Sequence, residues 1–455
     1  MTIAREKLPV IVVGAGCAGL SATYTLQQRG VDVLCLEAQD VAGGRCRTVV
    51  EDGYQFTIGA GVTEPQWDTT FKYFAELGLL DRVYPMKKLR FSFKRKGKIH
   101  TVNLGGSWRE MLAAVPGNLR FLASAMPAGT LWQTLKVLRA MRRHMRGVDP
   151  HHHDFSSLAE ISNTSTADFA RTHGGDKAHD WVFHPFTATM ILARPEDVSV
   201  AHPITLLSLM KGMCSVDGGL GTLTAHLYEA VRDKVRLATP VQRIVIEAGE
   251  VRGVQTAEGF IPAAHVICAV DAVQARQLIP ELPDTMRRAL ETCHYSSTYY
   301  YQFGLDQHFL PDDVEFHVHV TPACEDTILS WTAKGSRPGE KAVMIVATRG
   351  WRDAELDAMS EEARRRLVID EMQKIYPAFP SEPPKTKLFR WKRAVNLESP
   401  GQFTAIQDLL ANHYGDVPGL YLAGEYLFLI ACTEGALRTG KEAAERVLAA
   451  RAADL

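Results

Sequence analysis

The sequence predicts an α/β fold: a Rossmann-like domain around a parallel sheet, with an inserted α+β domain that has a mostly antiparallel sheet and a helical cap. Three observations predict it. A strand–glycine turn–helix–strand unit opens the chain, a strand followed by an Ala-rich helix closes it, and between them short β-type runs alternate with a long helical stretch. At 455 residues the chain exceeds one hydrophobic core, so two domains with interleaved segments are expected.

In the opening unit, Val10 to Val13 is an apolar, β-branched run of strand length. Gly14-Ala15-Gly16-Cys17-Ala18-Gly19 follows at once. Leu20, Ala22, Tyr24 and Leu26 then mix with polar residues as a helix would, and Gly30 stops it. Val31 to Leu36 reads as a second buried strand and ends in Glu37. Gly14 permits a tight turn, Gly16 lets the backbone approach a pyrophosphate, and Gly19 lets helix and strand pack closely. The helix start offers free N–H groups and a positive dipole end to phosphates. Glu37 stands about 20 residues beyond the turn, where a carboxylate accepts from a ribose diol. The unit is therefore expected to hold a dinucleotide.

Composition narrows the function further. The 51 basic and 52 acidic residues nearly cancel, so no global field draws in nucleic acid. Eight cysteines, at 17, 35, 46, 214, 268, 293, 324 and 432, show neither metal-type spacing nor a compact disulfide framework, and suggest reduced thiols in a cytoplasmic setting. "MTIAREKLPV" does not read as a signal peptide, and no run of about 18 apolar residues predicts a membrane-spanning helix. The three histidines of "HHHDF" (151–155) cannot all converge on one ion, so no metal is expected.

Further along, "YQFTIGAG" (54–61) reads as a short strand running into Gly59-Ala60-Gly61. An amphipathic helix is expected to place Phe71, Phe74, Leu77 and Leu80 on one side. Residues 89 to 102 alternate as a hairpin turning at Lys96-Gly97. Residues 106 to 204 read as mostly helical. Within them, segment 117–147 combines Leu, Met, Phe and Trp with many Arg: it is a solvated cap helix or a weak peripheral membrane contact. "STYYYQFGLD", "FHVHV", "DTILSWT" and "KAVMIVATRG" read as strands of one antiparallel sheet. Tyr299, Tyr300 and Tyr301 must alternate faces, so one or two of them line a pocket or pack within the sheet.

The motifs together resemble the flavin-containing amine oxidase superfamily, which includes monoamine oxidases, protoporphyrinogen oxidases and phytoene-type desaturases. The glycine unit, Glu37-Ala38 and the Gly43-Gly44-Arg45 element stand in that order, and "AGEYLFLIACTEGA" (423–436) matches the closing element. The resemblance implies noncovalent FAD in a Rossmann-like domain of the GR2 type, formed by residues 1–88, 205–270 and 410–455. Residues 89–204 and 271–409 would form the substrate domain. It implies FAD contacts from Gly14, Gly16, Cys17, Ala18, Gly19, Glu37, Ala38, Gly43, Gly44, Arg45, Gly59, Ala60, Gly61, Val241, Gly424, Glu425, Glu434, Gly435 and Ala436. The amides near Ala436 and Leu437 would face the flavin O2 locus.

The resemblance also implies hydride transfer from a substrate C–H to flavin N5, with O2 or another electron acceptor completing the cycle. Cys432 stands where the amine oxidases carry a cage tyrosine, and Trp391 is the candidate for the other ring. Tyr300 is the third candidate for the reacting pocket. Lys334 and Lys341 are candidates near N5 or solvated loop residues. Leu427 to Ile430 with Cys432 give an apolar pocket mouth, which suits a bulky, largely apolar substrate of the protoporphyrinogen-oxidase or desaturase branch, in secondary metabolism. Two other readings stay open: an amine or amino-acid oxidase with a modified cage, and an FAD protein with a non-redox role as an isomerase or structural component.

Overall fold

Val10–Val13 is the middle strand of a five-stranded parallel sheet in the order Leu420–Leu422, Val266–Cys268, Val10–Val13, Val33–Leu36, Val235–Arg236. Its neighbours come from both ends of the sequence and from its middle. Val12 pairs with Ile267 on one side and Cys35 on the other, and Ile267 pairs with Tyr421. All four residues of Val10–Val13 are buried, as a parallel sheet covered on both faces requires. The computed structural model describes residues 8–86, 88–95, 98–105, 115–118, 126–148, 155–209, 212–310, 316–320, 328–333 and 341–453.

Helix Cys17–Gln28 crosses helix Thr433–Ala453 closely. Gly440 makes the crossing possible, because a Cβ there would overlap the carbonyl oxygen of Ala18. Beside it, Ser21 Oγ donates to the Leu437 carbonyl at 2.6 Å and shares a 2.7 Å hydrogen bond with Tyr73 Oη. Gly19 acts as expected: a Cβ would overlap the Gly14 carbonyl, so glycine alone lets this helix sit on its strand.

A seven-stranded sheet forms the second layer, in the order Lys385–Trp391, Thr298–Leu305, Ala342–Thr348, Ile328–Ala333, Phe316–Val320, Lys88–Arg95, Lys98–Gly105. It is antiparallel except where Phe316–Val320 runs parallel to Lys88–Arg95. Thr298–Leu305 is buried along its whole length. Alternation sends Tyr299, Tyr301 and Phe303 to the face covered by helix Glu361–Ile375. Tyr300 goes to the other face, with Met86, Met213, Phe316 and Trp391.

The amphipathic segment after residue 67 departs from the expected pattern. Helix Asp68–Glu76 buries Thr69, Thr70, Tyr73 and Phe74 and stops before Leu77, and Leu80 lies half exposed in a following 3-10 turn. In the cap region, helix Thr130–Met145 turns Val137, Ala140 and Met141 inward and leaves Leu131, Trp132, Leu135 and Leu138 exposed. His151 to Asp154, Lys334, Cys324 and the hairpin turn at Lys96-Gly97 lie outside the described residues. No helix among the described residues is long and apolar enough to cross a membrane.

The helix crossing generates a prediction. Gly440→Val forces a branched side chain into backbone that cannot move aside, and is expected to cost about 2–4 kcal/mol. The measurement is the thermal midpoint of the apoprotein; an unchanged midpoint contradicts the contact.

Candidate functional site

A cavity of about 1150 Å3 runs between the parallel sheet and the seven-stranded sheet. One end is walled by Gly14, Gly16, Cys17, Ala18, Glu37, Ala38 and Val241, and its middle by Gly44, Arg45, Gly59, Ala60, Gly61, Gly424, Glu425 and Ala436. The other end is walled by Trp67, Tyr84, Met86, Phe91, Leu192, Met213, Tyr300, Trp391 and Ile430. Most of the residues expected to contact FAD thus share one continuous cavity.

At the first end, Gly14 has φ +98° and Gly16 faces open space. The helix start at Cys17 carries no side-chain cap, so its leading N–H groups remain for an anion. Glu37 is fixed by the Ala15 N–H at 2.7 Å and the Gln39 N–H at 2.9 Å. In the middle, Arg45 donates to Glu425 Oε1 at 2.6 Å and to the Ala394 carbonyl at 2.9 Å, joining residues 380 apart in sequence. Helix Thr433–Ala453 points its first turn at this region, with Cys432, Thr433 and Ala436 on the wall. A glycine-lined cradle, an uncapped helix start, a ribose-type acid and a second helix start fit FAD.

The loop after strand Tyr54–Thr57 is held on both sides. Three side chains on one face of the seven-stranded sheet donate to three successive carbonyls: Gln302 Nε2 to Thr57 at 2.6 Å, Trp391 Nε1 to Ile58 at 2.9 Å, and Tyr300 Oη to Gly59 at 3.4 Å. From the opposite side, the N–H groups of Ile58 and Ala60 donate to the Arg47 and Arg45 carbonyls. A Cβ on Gly59 would overlap the Arg45 carbonyl. Trp391 and Tyr300 therefore show their rings to the cavity while their polar atoms hold the loop. Burial pushes the Tyr300 phenol and the Cys432 thiol well above their ordinary values. Cys432 stays a protonated thiol, and its sulfur accepts from the Gly435 N–H.

Four of the residues expected at FAD are not among those that line the cavity. Glu434 is buried beneath the neighbouring helix, where its carboxylate accepts from the Thr69 N–H, the Thr70 N–H and Thr70 Oγ1 at 2.8–3.0 Å, capping helix Asp68–Glu76. Gly435 serves packing, since a Cβ would press on Phe428, and Gly19 serves the helix–strand contact described above. Gly43 supports the turn through its N–H to the Ala15 carbonyl. Leu437 is also off the wall: it lies in the core, and its carbonyl accepts from Ser21. In the expected apolar mouth, Ile430 and Cys432 line the cavity, whereas Leu427 and Leu429 fill other cores and Phe428 packs against one of these. Lys341 lies at the rim, exposed, with its ammonium 4.5 Å from the Tyr54 ring centre.

Two ionisable residues on the wall escaped sequence reading. His202 Nδ1 pairs with Glu398 Oε2 at 2.5 Å, both buried. Glu64 is 5% exposed, and its Oε2 has no partner. Burial pushes its carboxyl up to about 7, against a smaller opposing effect of the Gly212 backbone N–H. Both residues reach the cavity through folds that no local pattern marks, although Glu64 does stand three residues after the Gly59-Ala60-Gly61 loop. No group of three or more His, Cys, Asp or Glu side chains among the described residues is placed to hold a metal ion.

This fold and cavity define a dinucleotide-binding protein of the flavin type. The chain belongs to the flavin containing amine oxidoreductase family, whose pattern it matches over residues 17–448. Among curated proteins, it is 27% identical to mitochondrial protoporphyrinogen oxidase of Nicotiana tabacum over 42% of this chain and 34% of that protein. It is 25% identical to the zeta-carotene-forming phytoene desaturase of Myxococcus xanthus over 68% and 62%, and 26% identical to the L-amino-acid oxidase of Protobothrops flavoviridis over 63% and 57%. These matches span less than two thirds of each relative's length.

Solved structures extend the likeness in fold to nearly the whole chain. Cyclohexylamine oxidase from Brevibacterium oxydans superposes with a TM-score of 0.72 at 20% identity, over 97% of this chain and 99% of that one. A putrescine oxidase triple mutant superposes at 0.76 with 17% identity over the same shares. The cofactor of the family is FAD.

Two predictions follow from the geometry of the wall. Trp391→Phe keeps the ring but removes the bond to Ile58, and is expected to cost about 1 kcal/mol of stability and to weaken FAD retention, read by thermal midpoint and flavin content after dialysis. Glu64 carries a folded-state value above its ordinary one, so its contribution to stability is present at low pH. That contribution is lost as pH rises through about 4.5 to about 7. The apoprotein of Glu64→Gln should gain on wild type across that window, by on the order of 2 kcal/mol. Parallel stability–pH profiles would contradict it.

Proposed function

We propose that this chain is an FAD-dependent oxidase or desaturase that takes a hydride from a C–H bond of a bulky, largely apolar substrate. The observation that carries the reading is the far end of the cavity, where Trp67, Tyr84, Met86, Phe91, Leu192, Met213, Tyr300, Trp391 and Ile430 form a broad apolar wall next to the FAD-type cradle. FAD, when bound, supplies a two-electron acceptor.

The chain's own residues do the rest. Gly14, Gly16, Cys17, Ala18, Glu37, Ala38 and Val241 take the adenosine and diphosphate part. Gly44, Arg45, Gly59, Ala60, Gly61, Gly424, Glu425 and Ala436 take the remainder, without a covalent bond. The helix start at Thr433, on the cavity wall, would offer its positive dipole end to the negative charge of a reduced flavin. Trp391, Tyr300 and Gln302 hold the loop at 57–59 and so fix the distance between substrate and cofactor. The apolar wall excludes water from the reacting C–H.

The domain division at 1–88, 205–270 and 410–455 against 89–204 and 271–409 belongs to the same reading, as does O2 or another acceptor in the second half-reaction. Exposed Leu131, Trp132, Leu135 and Leu138 beside Lys136, Arg139, Arg142 and Arg143 support a weak peripheral membrane contact through segment 117–147, suited to an apolar substrate.

A specific observation favours a second reading. The unpaired Glu64 carboxyl in the chamber is the kind of group an amine or amino-acid oxidase with an altered cage would use. The deciding experiment is an anaerobic panel of porphyrinogens, polyenes and amines, monitored by loss of flavin absorbance. Bleaching by porphyrinogens or polyenes is expected. Bleaching by simple amines alone transfers the function to the second reading, and no bleaching by any redox substrate points to a non-redox role. Acid precipitation should release all the flavin into the supernatant; flavin pelleting with the protein would contradict noncovalent binding.

A further inference from the structure

Glu64 is out of keeping with its surroundings. It follows the loop that closes the middle of the cavity, and its side chain lies at the apolar end, on the same wall as Trp67, Met86 and Met213. The residue is 5% exposed. Its carboxyl accepts from the Gly212 backbone N–H, and Oε2 has no partner. The backbone around it is fixed: Thr63 bridges to Cys214, and Trp67 N–H donates to the Glu64 carbonyl. Among the described residues the titratable group that senses it is Cys214, a thiol whose own ionisation burial and Glu64 both oppose. No Lys, Arg or His among the described residues neutralises it.

A carboxyl in such a place is costly. Leaving one buried oxygen without a donor costs about 1–3 kcal/mol, and an ionised, unpaired carboxylate costs more. Buried polar atoms in folded proteins are otherwise nearly always satisfied. The fold does not stabilise itself through Oε2, whereas Glu398, off the cavity wall, is at least paired to His202 through its Oε2. A partner brought in from outside accounts for the arrangement.

We propose that Glu64 is the polar anchor of the substrate chamber. Its free Oε2 receives one hydrogen-bond-donating group, an amine or a hydroxyl, carried on an otherwise apolar substrate. This rests on the reading of the apolar end as the substrate chamber and deepens it: a pure hydrocarbon, an unsubstituted polyene included, binds more weakly because it lacks the group that Glu64 receives. Glu64 is a specificity residue that orients the substrate, and the apolar wall supplies the bulk of the contact. Discrimination of this kind is strong, because a ligand without the donor leaves the carboxyl unpaired in the filled chamber.

The test uses FAD-loaded protein, without oxygen, and three probes with one shared body: butylbenzene, 4-phenylbutan-1-ol and 4-phenylbutylamine. Equilibrium dialysis reads binding independently of turnover. Wild type is expected to bind the alcohol and the amine about tenfold more tightly than the hydrocarbon. Glu64→Leu is expected to bring all three within about twofold, and Glu64→Gln, which keeps shape and an acceptor oxygen, to retain the alcohol preference while losing most of the amine's. If Glu64→Leu fails to fold, Glu64→Gln alone decides through the amine-to-alcohol ratio.

Equal binding of all three by wild type overturns the anchor and leaves the chamber reading intact, as does an unchanged amine-to-alcohol ratio in Glu64→Gln. Binding of none overturns both. Wild-type discrimination that Glu64→Leu abolishes, in a protein whose flavin no substrate bleaches, sustains the anchor and removes the redox function.

Discussion

The constraint on which the site depends is the double grip on the loop from Thr57 to Ala60. Its carbonyls are held by Gln302, Trp391 and Tyr300 from the seven-stranded sheet, and two of its N–H groups by the carbonyls of Arg45 and Arg47. Arg45 is in turn paired to Glu425, beside the closing helix. One short loop thus ties the antiparallel sheet, the glycine–arginine element and the C-terminal segment into a single wall. Each bond contributes only about 1 kcal/mol, but successive bonds along one backbone leave it no room to shift. In the proposed function the rigidity matters because hydride transfer tolerates little error in distance.

The cavity is polar at the cradle and apolar at the far end, and the ionisable groups divide accordingly. Glu37, Arg45 and Glu425 are paired or hydrogen-bonded, as charges partly withdrawn from water must be. Tyr300 and Cys432, toward the apolar end, are kept neutral by burial. The Tyr300 hydroxyl holds the Gly59 carbonyl, and the Cys432 sulfur accepts from the Gly435 N–H. Trp391 combines the two regimes, with its ring on the cavity and its N–H in the loop.

What was legible in the sequence is what local backbone chemistry dictates. The Gly14–Gly19 turn, Glu37, and the strand-and-helix close at Leu420 and Thr433 each follow from short-range spacing around one cofactor, and the hairpin and sheet strands follow from alternation. Glu434 stands in a flavin-like motif, yet its carboxylate serves the start of a helix more than 360 residues away, a contact that no local spacing marks. Leu427 and Leu429 were misread because a continuous apolar run does not reveal which side faces a cavity and which a core. Leu80 was misread because helix Asp68–Glu76 ends sooner than its apolar period suggests. Glu64 and His202 were not legible at all. Their importance comes from what does or does not lie opposite them, and only the folded chain shows that.

The order of the parallel sheet has a consequence for synthesis. Leu420–Leu422 is an edge strand and lies beside Val266–Cys268, which lies beside Val10–Val13, so the earliest-made strand waits on partners made much later. Until helix Thr433–Ala453 is made, Ala18 lacks its cover, and until Glu425 is made, the Arg45 guanidinium lacks its carboxylate. Pairings of such long sequence separation form slowly and expose apolar surface in the interval. A nascent chain of this protein therefore completes the sheet and the FAD-type cradle only once strand Leu420–Leu422 and helix Thr433–Ala453 have been made, and the stretch that waits longest for its partners is strand Val10–Val13 with helix Cys17–Gln28.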